Sequence, residues 1–555
     1  MALSELDFSP MFIQLLEARG FSSKQEVESF LASPGDEVFE YGKYLYESEK
    51  FLARINEAKK KGKKVLIYGD YDVDGMSAAA LLWRFLHLEL GAESRVVVPH
   101  RQRQGYGLNL EFLREELAKQ PADLVITVDC GVRDGELVRQ IKQEYSGLEV
   151  IVTDHHKPEE KSSWDFADVE VHPMHPSSNA DELAGGEICA AAVVWGLVSL
   201  ARKELLGVER KADGIELAAL ATVTDLMPLV GLNRAIVKKG LEQFRKTKKE
   251  GLLALADTAG VDLARVDAYT FGFQIGPRLN ALGRIDEPLL GVKLLATQDK
   301  QAAAKLARKA DSVNRLRQQL TEKSVKEAEQ RIKLEEKILI VNSEDWHEGV
   351  IGLIAGRLME KYNRPAVALA RKETGEWVGS ARSLEEFDVT QALAKNSDLL
   401  VRFGGHAQAA GLTIFEENLK KLGENLARLT EKIDFSRTTK AKKQADISFK
   451  ARQFEPRLID EVLLLAPFGI GNPKPRIKLE YLELELSRQF GGGGKHHRFD
   501  SSDLAEGVEL LWFNSKWNEE KNAEGRDNYA YITTLGYNHW NGRKIPQIII
   551  QDYAS

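Results

Sequence analysis

The sequence predicts an α/β protein with a doubly wound parallel sheet, a long connecting helix, a second α/β domain and a C-terminal β-barrel. Between Lys64 and Asp154, short apolar runs alternate with helical patterns, which is typical of βαβ units. From Val292 to Glu348 the chain contains neither Gly nor Pro, and apolar residues recur there at helical spacing. After a lysine-containing linker, the last part of the chain is rich in β-type runs, which favours a small barrel.

The length of the chain sets the expected number of domains. A chain of 555 residues is too long for one hydrophobic core. The predicted regions are an N-terminal helical segment at residues 1–50, a parallel-sheet core with a helical extension at 51–290, the long connecting helix at 291–340, the second α/β domain at 341–437 and the β-domain at 445–555.

Composition and charge exclude several classes of protein. The net charge of −7 shows no overall basicity, so a site for a polyanion must be a local concentration of Lys and Arg. The two cysteines, Cys130 and Cys189, exclude a disulfide framework and suit a reducing cytoplasm. The sequence lacks a signal-peptide pattern, and its longest apolar run is too short to span a bilayer. We therefore expect a soluble, cytoplasmic protein. We also expect it to be a monomer.

Acidic residues and histidines follow three strands of the predicted parallel sheet. In such sheets, ligands bind beyond the carboxyl ends of the strands, so these side chains are expected at one edge. The helical region adds a further acidic residue in TVTDLMPL. The residues are Asp70, Asp72, Asp74, Asp129, Asp154, His155, His156 and Asp225.

Each of these motifs also has a plainer interpretation. YGDYDVDG alone could be a solvated acidic turn, and Asp129 and Asp225 could cap helices. The two histidines could lie at the surface. Delivery of oxygen and nitrogen ligands from three strands to one edge argues against coincidence. Carboxylate with imidazole suits Mn²⁺ or Mg²⁺ rather than a thiolate-bound zinc. With so many carboxylates we expect two ions that share a bridging Asp, the arrangement of many phosphoesterases.

The order of the motifs carries a family resemblance. YGDYDVDG, VDCG, TDHH and TVTDLMPL stand in the order of the four metal motifs of the DHH phosphoesterase superfamily, which the sequence resembles over most of its length. RQRQGYGL, IGPRLNALGRI, GSARS, RFGGHAQAAG and PFGIGNPKP are similar to features of its RecJ branch, the bacterial exonucleases specific for single-stranded DNA. The resemblance implies a DHH core, a DHH-associated domain and an OB-fold-like barrel.

For the metal site, the resemblance implies particular roles. Asp129 would bridge two ions and His156 would face the scissile phosphate as a hydrogen-bond donor, so these are the expected catalytic residues. Asp154 would orient a histidine, a role that metal-binding imidazoles usually require. Some members of the superfamily have a histidine where this chain has Tyr68, which leaves open whether Asp70 completes one metal site. The expected metal ligands are Asp70, Asp72, Asp74, Asp129, His155 and Asp225.

Contacts to DNA are expected from both α/β lobes. Planar guanidinium groups bind phosphate oxygens well, and the resemblance implies that Arg101, Ser380 and Arg382 grip the terminal 5′ phosphate. The Gly-Gly-His run could instead be a tight turn, and Arg278 and Arg284 could instead form salt bridges. The expected DNA-binding residues are Arg101, Arg278, Arg284, Ser380, Arg382, Gly404, Gly405 and His406.

Aromatic residues of the C-terminal barrel are candidates for base stacking, which contributes about 1–3 kcal/mol per base. Most of them are better explained as core residues. The tetraglycine of GGGGKHHRFD predicts a loop tip between two strands, and we assign no role to the histidines that follow it. The candidates are Trp512, Phe513, Trp517, Tyr531 and Trp540.

The resemblance implies an enzyme of DNA recombination and repair. It would be a 5′→3′ exonuclease that hydrolyses single-stranded DNA to mononucleotides with two divalent ions, manganese or magnesium. A helicase and a single-strand-binding protein would be its partners. One alternative is a DHH-type phosphodiesterase on short oligonucleotides or cyclic dinucleotides, against which the extra β-domain argues. Another is a non-catalytic nucleic-acid-binding scaffold, against which the intact motifs argue. An inorganic pyrophosphatase of the same superfamily is a more distant alternative.

Overall fold

The structure is a computed structural model of the chain. It describes residues 3–32, 35–105, 107–158, 162–179, 182, 184–208, 212–435, 444–517, 529–540 and 543–554. The chain forms two compact units. The larger unit contains Pro34–Ile433 with Gly469–Asn472, and the smaller unit contains Met1–Ser33, Asp434–Phe468 and Pro473–Ser555.

Helices and strands occur in both units. The helices are α1 (Pro10–Ala18), α2 (Lys24–Leu31), α3 (Ser48–Lys61), α4 (Val73–Trp83), α5 (Leu110–Lys119), α6 (Gly135–Glu144), α7 (Ala190–Leu206), α8 (Ile215–Thr224), α9 (Gly231–Arg245), α10 (Glu250–Ala259), α11 (Gly276–Ile285), α12 (Leu289–Ala296), α13 (Lys300–Glu329), α14 (Ile351–Tyr362), α15 (Val389–Ala394), α16 (Glu416–Thr430) and α17 (Arg457–Leu464). The strands are β1 (Val65–Gly69), β2 (Ser94–Val97), β3 (Leu124–Val128), β4 (Glu149–Thr153), β5 (Val169–Val171), β6 (Leu339–Ser343), β7 (Ala366–Arg371), β8 (Trp377–Arg382), β9 (Leu400–His406), β10 (Ala409–Ile414), β11 (Ile447–Lys450), β12 (Ile477–Glu480), β13 (Glu485–Phe490), β14 (His496–Asp500), β15 (Glu509–Trp512), β16 (Ala530–Trp540) and β17 (Arg543–Tyr553). π-Helical turns follow α4 (Arg84–Glu89) and precede α11 (Thr270–Ile275).

The first sheet of the larger unit is parallel, which confirms the prediction. Its strands stand in the order β2-β1-β3-β4-β5, and every neighbouring pair is parallel. Strands β1 and β3 are buried along their whole length, which explains their unbroken apolar sequences. In this register Gly69 pairs with Val128, and Val128 pairs with Thr153. The carboxyl ends of β1, β3 and β4 therefore lie side by side at one edge.

The long connecting helix is α13, which lies within the predicted 291–340. Its N-cap is Asp299, whose side chain accepts a hydrogen bond from the N–H of Ala302 at 2.6 Å. The apolar segment before this cap forms the separate helix α12. Small side chains such as Ala303 and Ala310 are buried on one face of α13, as the helical spacing predicts.

The second α/β domain contains a mixed sheet in the order β6-β7-β8-β10-β9. Strands β6 and β7 are parallel, and the other neighbouring pairs are antiparallel. The GSARS motif lies on β8, in the middle of the sheet. The RFGGH motif lies on β9, an edge strand that is exposed from Val401 to His406. This domain confirms the predicted second α/β lobe.

The smaller unit is built on a seven-stranded sheet in the order β11-β12-β16-β17-β15-β14-β13. The N-terminal helices pack into the core of this unit, where Phe12 and Leu15 join Leu510 and Ile548. Strands β13 and β14 form a hairpin, and Gly491–Gly494 lie at its tip as the sequence predicts.

The aromatic candidates of this unit differ in exposure. Trp512 and Tyr531 are 2% and 1% exposed, so they are core residues and are not available to bases. Trp517 is half-buried against the same core, whereas Phe513 is 44% exposed. The side chain of Trp540 lies outside the described residues.

Across the described part of the chain, no helix combines the length and the apolar character that crossing a bilayer requires. The free cysteines Cys130 and Cys189 are both buried in the larger unit. Burial raises the pKa of each thiol well above its ordinary value.

Candidate active site

The acidic residues and histidines predicted from the strand ends lie together in the larger unit. The ring Nε2 of His155 lies near the centre of the group. It is 3.2 Å from Asp129 Oδ1, 3.6 Å from Asp74 Oδ2 and 3.7 Å from Asp225 Oδ2. Segments after β1, β3, β4 and α8 thus deliver their side chains to one point.

Two aspartates of the loop after β1 are held by helix N-termini. Asp72 is the N-cap of α4, and its Oδ1 accepts hydrogen bonds from the N–H groups of Asp74 at 2.9 Å and Gly75 at 3.1 Å. Asp74 is 1% exposed, and its two oxygens accept the N–H groups of Ala190 and Ala191, each at 2.7 Å, where α7 begins. The positive end of α7 therefore stabilises this buried carboxylate. The cap made by Asp72 uses one oxygen, so capping and metal binding by this residue are compatible.

Asp129 has an unusual backbone conformation. Its φ is 65°, in the left-handed region that side chains other than those of Asn and Asp rarely adopt. Its carboxylate is 2% exposed. The following helix, α6, begins only at Gly135 with Asp134 in the N-cap position. Asp129 therefore does not cap that helix, and the plainer interpretation of this residue is wrong.

Asp225 lies at the C-cap of α8, the end at which the helix dipole is negative. A carboxylate there is electrostatically unfavourable to the helix, and a side chain cannot serve as an N-cap at that end. The side chain is 28% exposed, yet its Oδ2 is buried and has no hydrogen-bond partner among the described residues. Capping therefore gives no account of Asp225.

Asp154 holds the histidine loop. Its Oδ1 accepts hydrogen bonds from the N–H groups of His155 at 2.7 Å and His156 at 3.2 Å, and it lies 2.8 Å from His156 Nδ1. Its Oδ2 accepts the N–H of Val132 at 3.0 Å. Burial alone would raise the pKa of Asp154, but the hydrogen bond and charge of His156 lower it below its ordinary value. Burial would likewise lower the pKa of His156, and Asp154 raises it instead.

Four buried polar atoms of the cluster lie close to one another but form no hydrogen bond within the described residues. They are Asp70 Oδ1, Asp129 Oδ1, His155 Nε2 and Asp225 Oδ2. A buried polar atom without a partner costs about 1–3 kcal/mol. Burial and then neighbouring carboxylates raise the pKa values of Asp70, Asp129 and Asp225 well above their ordinary value, and that of Asp74 to about 7. Without a cation, ionised carboxylates at these positions would repel one another, which favours their protonated forms.

The cluster fits divalent cations. Its ligand atoms fall into overlapping groups, each with its atoms within 4.8 Å of one another. Burial lowers the pKa of His155 to about 3, so the imidazole is neutral and can offer a lone pair. Carboxylate and imidazole ligands suit Mn²⁺ and Mg²⁺. The groups are Asp129 with His155 and His156, Asp74 with His155 and Asp225, and Asp70 with Asp72 and Asp129.

Tyr68 and Asp70 face different surroundings. The Tyr68 hydroxyl donates a hydrogen bond to the carbonyl of Gly107 at 3.3 Å and accepts one from the N–H of Asn109 at 3.0 Å. It therefore holds the backbone of the loop that follows β2. Asp70 is 2% exposed and belongs to one of the candidate ligand groups with Asp129. Of the two residues, Asp70 is thus the one that the cluster contains.

Three arginines, Arg101, Arg284 and Arg382, group beside the acidic loop, and we call this group the arginine pocket. The Arg101 guanidinium lies 5.3 Å from the ring centroid of Tyr71. Arg382 donates a hydrogen bond to Ser380 Oγ at 2.9 Å. Burial, followed by the charges of Arg101 and Arg382, lowers the pKa of Arg284 to about 9. Within the described residues, none of these three arginines forms an ion pair, so the pocket suits an anion such as a phosphate.

The other predicted DNA contacts lie in two places. Arg278 forms an ion pair with Asp311 of α13, Nε to Oδ1 at 3.0 Å, which is the salt-bridge alternative given above. Gly404 and Gly405 lie on the edge strand β9, where a side chain at Gly405 would overlap the backbone of the neighbouring strand β10. Burial, and then the charges of Arg133 and His156, lower the pKa of His406. His406 therefore lies near the histidine loop.

Sequence reasoning missed two residues of the pocket. The ring of Tyr71 lies under Arg101, although Tyr71 stands inside the YGDYDVDG motif. Its aromatic type was the available signal, because arginine packs on aromatic faces. The positive charge of Arg317 contributes to the lowered pKa of Arg284. Arg317 lies on α13, and no local pattern in the sequence distinguishes it from the other arginines of that helix.

Comparisons with known proteins agree with this architecture. Residues 64–222 match the model of the DHH family, N-terminal domain. Residues 335–432 match the DHHA1 domain, and residues 445–552 match the RecJ OB domain.

Curated relatives match most of the chain. The single-stranded-DNA-specific exonuclease RecJ of Bacillus subtilis is 32% identical over 559 residues, which cover 99% of this chain and 68% of the relative. The protein of the same name from Thermus thermophilus is 32% identical over 447 residues, which cover 80% of this chain and 63% of the relative. The chain thus spans about two thirds of the length of these relatives.

Solved structures share the fold. The crystal structure of RecJ from Thermus thermophilus in complex with Mn²⁺ matches with a TM-score of 0.81 and 28% identity, covering 100% of this chain and 77% of that one. A crystal structure of exonuclease RecJ bound to manganese matches with a TM-score of 0.61 and 33% identity, covering 70% of this chain and 96% of that one.

Proposed function

Because this chain belongs to the RecJ family of DHH phosphoesterases, we propose that it is a 5′→3′ exonuclease that hydrolyses single-stranded DNA to mononucleotides. The observation that carries the proposal is the convergence of partnerless buried ligand atoms from Asp70, Asp129, His155 and Asp225. A scaffold protein would gain nothing from such a cluster, because the cluster destabilises the fold unless cations are bound. DNA recombination and repair are the processes that this activity would serve.

The cluster would hold two divalent ions, manganese or magnesium. Asp74, His155 and Asp225 would bind one ion, Asp70 and Asp72 would bind the other, and Asp129 would bridge them. Such a pair would activate a water and stabilise the leaving oxygen of an in-line displacement. The left-handed backbone at Asp129 supports its bridging role, because it turns the carboxylate from the strand end into the cluster.

His156 would act directly on the scissile phosphate. Its Nδ1 lies 2.8 Å from Asp154, and the carboxylate raises its pKa, so the ring can carry the proton that it would donate through Nε2. A donor to a phosphate oxygen stabilises the charge that develops there during displacement. Asp154 would act through the histidine by fixing the direction of the ring.

The arginine pocket would bind the terminal 5′ phosphate. Arg101, Arg382 and Ser380 would donate hydrogen bonds to the phosphate oxygens, and Arg284 would add positive charge beside them. Desolvated guanidinium groups gain more from a phosphate than exposed ones do, because the surrounding dielectric is low. A pocket that requires a terminal phosphate would make the enzyme start at a 5′ end. His406 and the backbone at Gly404 and Gly405 would line the same cleft.

The remaining expectations concern the setting of the enzyme. A channel too narrow for a duplex would exclude double strands, so a helicase and a single-strand-binding protein would supply the substrate. We propose that the enzyme acts as a monomer in the cytoplasm. Arg278 would contribute to the DNA path through its charge, although Asp311 shares that charge.

The test uses 5′-phosphorylated and unphosphorylated single strands, labelled at either end, with Mn²⁺. We expect mononucleotides to appear first from the 5′ label, and little attack on a blunt duplex. Asp129→Asn should lose at least 100-fold in rate, whereas the exposed Asp257→Asn on α10 should match the wild type. Arg382→Ala should lose about 10- to 100-fold and should reduce the preference for a 5′ phosphate.

Other outcomes would support the alternatives. Hydrolysis of dinucleotides without attack on long strands would indicate an oligonucleotide phosphodiesterase. Binding of single strands without hydrolysis in Mn²⁺ or Mg²⁺ would indicate a scaffold. Mononucleotides that appear first from the 3′ label would contradict the proposed polarity.

A further inference from the structure

Two exposed aromatic rings stack on each other beside the π-helical turn that precedes α11. Tyr269 and Phe273 are 61% and 70% exposed. Their ring centroids are 4.7 Å apart and their planes differ by 23°. Rings so exposed contribute little to a hydrophobic core, and π-helical turns occur frequently at functional sites. The roles proposed above for the metal cluster and the arginine pocket use neither ring.

The π-helical turn packs against the end of α8 that carries Asp225. A side chain at Gly272 of the turn would contact Val223, and one at Gly276, the first residue of α11, would overlap the methyl group of Thr224. This segment therefore lies directly on the end of α8. Leu226, directly after Asp225, is 66% exposed. The segment that carries the aromatic pair Tyr269–Phe273 therefore packs on the Asp225 end of α8, on one side of the metal cluster.

Helix α11 connects this aromatic pair to the arginine pocket. Along the helix, Asn280 accepts the N–H of Val73 at 3.3 Å. A side chain at Gly283 would overlap a carbonyl of the acidic loop, so the helix lies directly on that loop. Arg284 stands at the C-terminal end of the helix, in the arginine pocket. From Phe273 to Arg284 the helical backbone rises about 17 Å at about 1.5 Å per residue. The order from Tyr269 to Arg284, along the π-helical turn and α11, is therefore aromatic pair, metal cluster, arginine pocket.

We propose that Tyr269 and Phe273 form a platform on which bases of the DNA strand stack on the 3′ side of the scissile phosphate. The proposal rests on the proposed function. With the 5′ phosphate in the arginine pocket and the scissile phosphate at the metal cluster, the rest of the strand continues toward the opposite end of α11. The aromatic pair lies at that end. Every base has a π face, so stacking holds a strand independently of its sequence.

DNA is the occupant that the position of the pair favours. The end of α8 on which the turn packs is half-buried, and Leu226, which follows it, is 66% exposed, so this side of the cluster is open to a strand. Apolar rings could also attract a protein partner. The test therefore uses the purified enzyme and DNA alone, because rings that serve a protein partner would then have no effect on the reaction.

The test compares substrates of different length. Wild type, Tyr269→Ala, Phe273→Ala and the double variant would be assayed with Mn²⁺ on a 5′-phosphorylated dinucleotide and on a 20-nucleotide strand. We expect KM for the 20-nucleotide strand to rise about 5-fold or more in each single variant and about 100-fold in the double variant. KM for the dinucleotide should change far less. Phe273→Trp should raise KM far less than Phe273→Ala does, because it keeps an aromatic ring at this position.

Phe415→Ala is the matched control, since Phe415 is 44% exposed in the second α/β lobe. It should leave both KM values at the wild-type level. Equal losses on both substrates in the Tyr269 and Phe273 variants would point to damage at the metal cluster and would overturn the proposal. Unchanged KM values on the long strand would overturn it as well.

A fluorescence measurement separates this proposal from the proposed function. A strand that carries 2-aminopurine on the 3′ side of the cleavage site would be bound to Asp129→Asn enzyme, and stacking should quench its emission. The triple variant, which combines Asp129→Asn with Tyr269→Ala and Phe273→Ala, should recover most of the 2-aminopurine emission. If the wild type fails to degrade single strands, the proposed function fails. If it degrades them and the quenching does not depend on the two rings, the stacking platform alone fails.

Discussion

The buried carboxyl group of Glu170 should make the larger unit less stable as pH rises. Glu170 is 3% exposed on β5, next to the strand that carries the DHH motif. Its Oε2 accepts a hydrogen bond from the Ser163 hydroxyl, whereas its Oε1 has no partner among the described residues. Burial, aided by the nearby charges of Asp154 and Glu47, raises its pKa from 4.5 to about 8.

The two pKa values determine the size and the sign of the effect. A carboxyl group whose pKa is higher in the folded state stabilises the fold below pH 4.5, and this contribution disappears as pH rises through about 8. The two pKa values differ by about 3.5, which at about 1.36 kcal/mol per pKa unit gives an upper limit of about 5 kcal/mol. Glu170→Gln keeps an acceptor for Ser163 and cannot ionise. Its free energy of unfolding should lie within about 1 kcal/mol of the wild type at pH 5 and exceed it by about 2–4 kcal/mol at pH 8.5.

Urea unfolding followed by tryptophan fluorescence at pH 5, 6.5 and 8.5 measures this difference. Glu204→Gln, an exposed position on α7, makes the same change of charge without the burial and should track the wild type at every pH. A Glu170→Gln effect of equal size at pH 5 and pH 8.5 would show that the group does not titrate between them. The reasoning would then be wrong.

Other predictions concern the metal cluster and the helix that covers it. Mn²⁺ at one hundred times its Kd should stabilise the wild type by about 2.7 kcal/mol and so raise its Tm. EDTA should reverse this rise, and a Tm that does not change with Mn²⁺ would contradict the metal assignment. Asp225→Asn should raise the Tm of the metal-free protein, because it removes a carboxylate from a helix C-terminus and from its neighbours, while nuclease activity falls at least 100-fold. Equal or lower metal-free stability would contradict that trade-off. Gly283→Ala should cost about 1–3 kcal/mol and lower activity, because the new methyl group overlaps the Tyr71 carbonyl. Gly356→Ala on α14 meets no atom within 4 Å and should be neutral or stabilise by up to about 1 kcal/mol.

Much of the fold and of the metal cluster could be predicted because local pattern and sheet geometry agree. The alternation of apolar runs and helices identified the parallel sheet, and parallel strands necessarily end at one edge. That argument is enough to bring Asp74, Asp129 and His155 together. It does not need side-chain geometry, since adjacent strands are less than about 5 Å apart.

Long-range packing could not be predicted in this way. The apolar face of α1 predicts burial, yet nothing in residues 10–18 indicates that its partner is a sheet several hundred residues later. Trp512 and Phe513 are neighbours in sequence with the same aromatic character, but β15 ends at Trp512, which lies in the core, and Phe513 follows the strand and is exposed. Arg278 and Arg284 share a helix and a motif, but Asp311 of α13 pairs with the first. Each of these outcomes depends on a partner far away in the chain.

Three positions that break local rules belong to the proposed catalytic cleft. A glycine would relieve the backbone at 129, a basic residue would suit the helix end at 225, and a polar residue would suit the exposed position 273. The residues present at these positions therefore lower the stability of the fold. Positions 129 and 225 belong to the metal cluster and position 273 to the proposed stacking platform. If one DNA strand contacts the platform and the metal cluster, binding of that strand accounts for all three choices, because functional sites are where local rules are broken at a cost in stability.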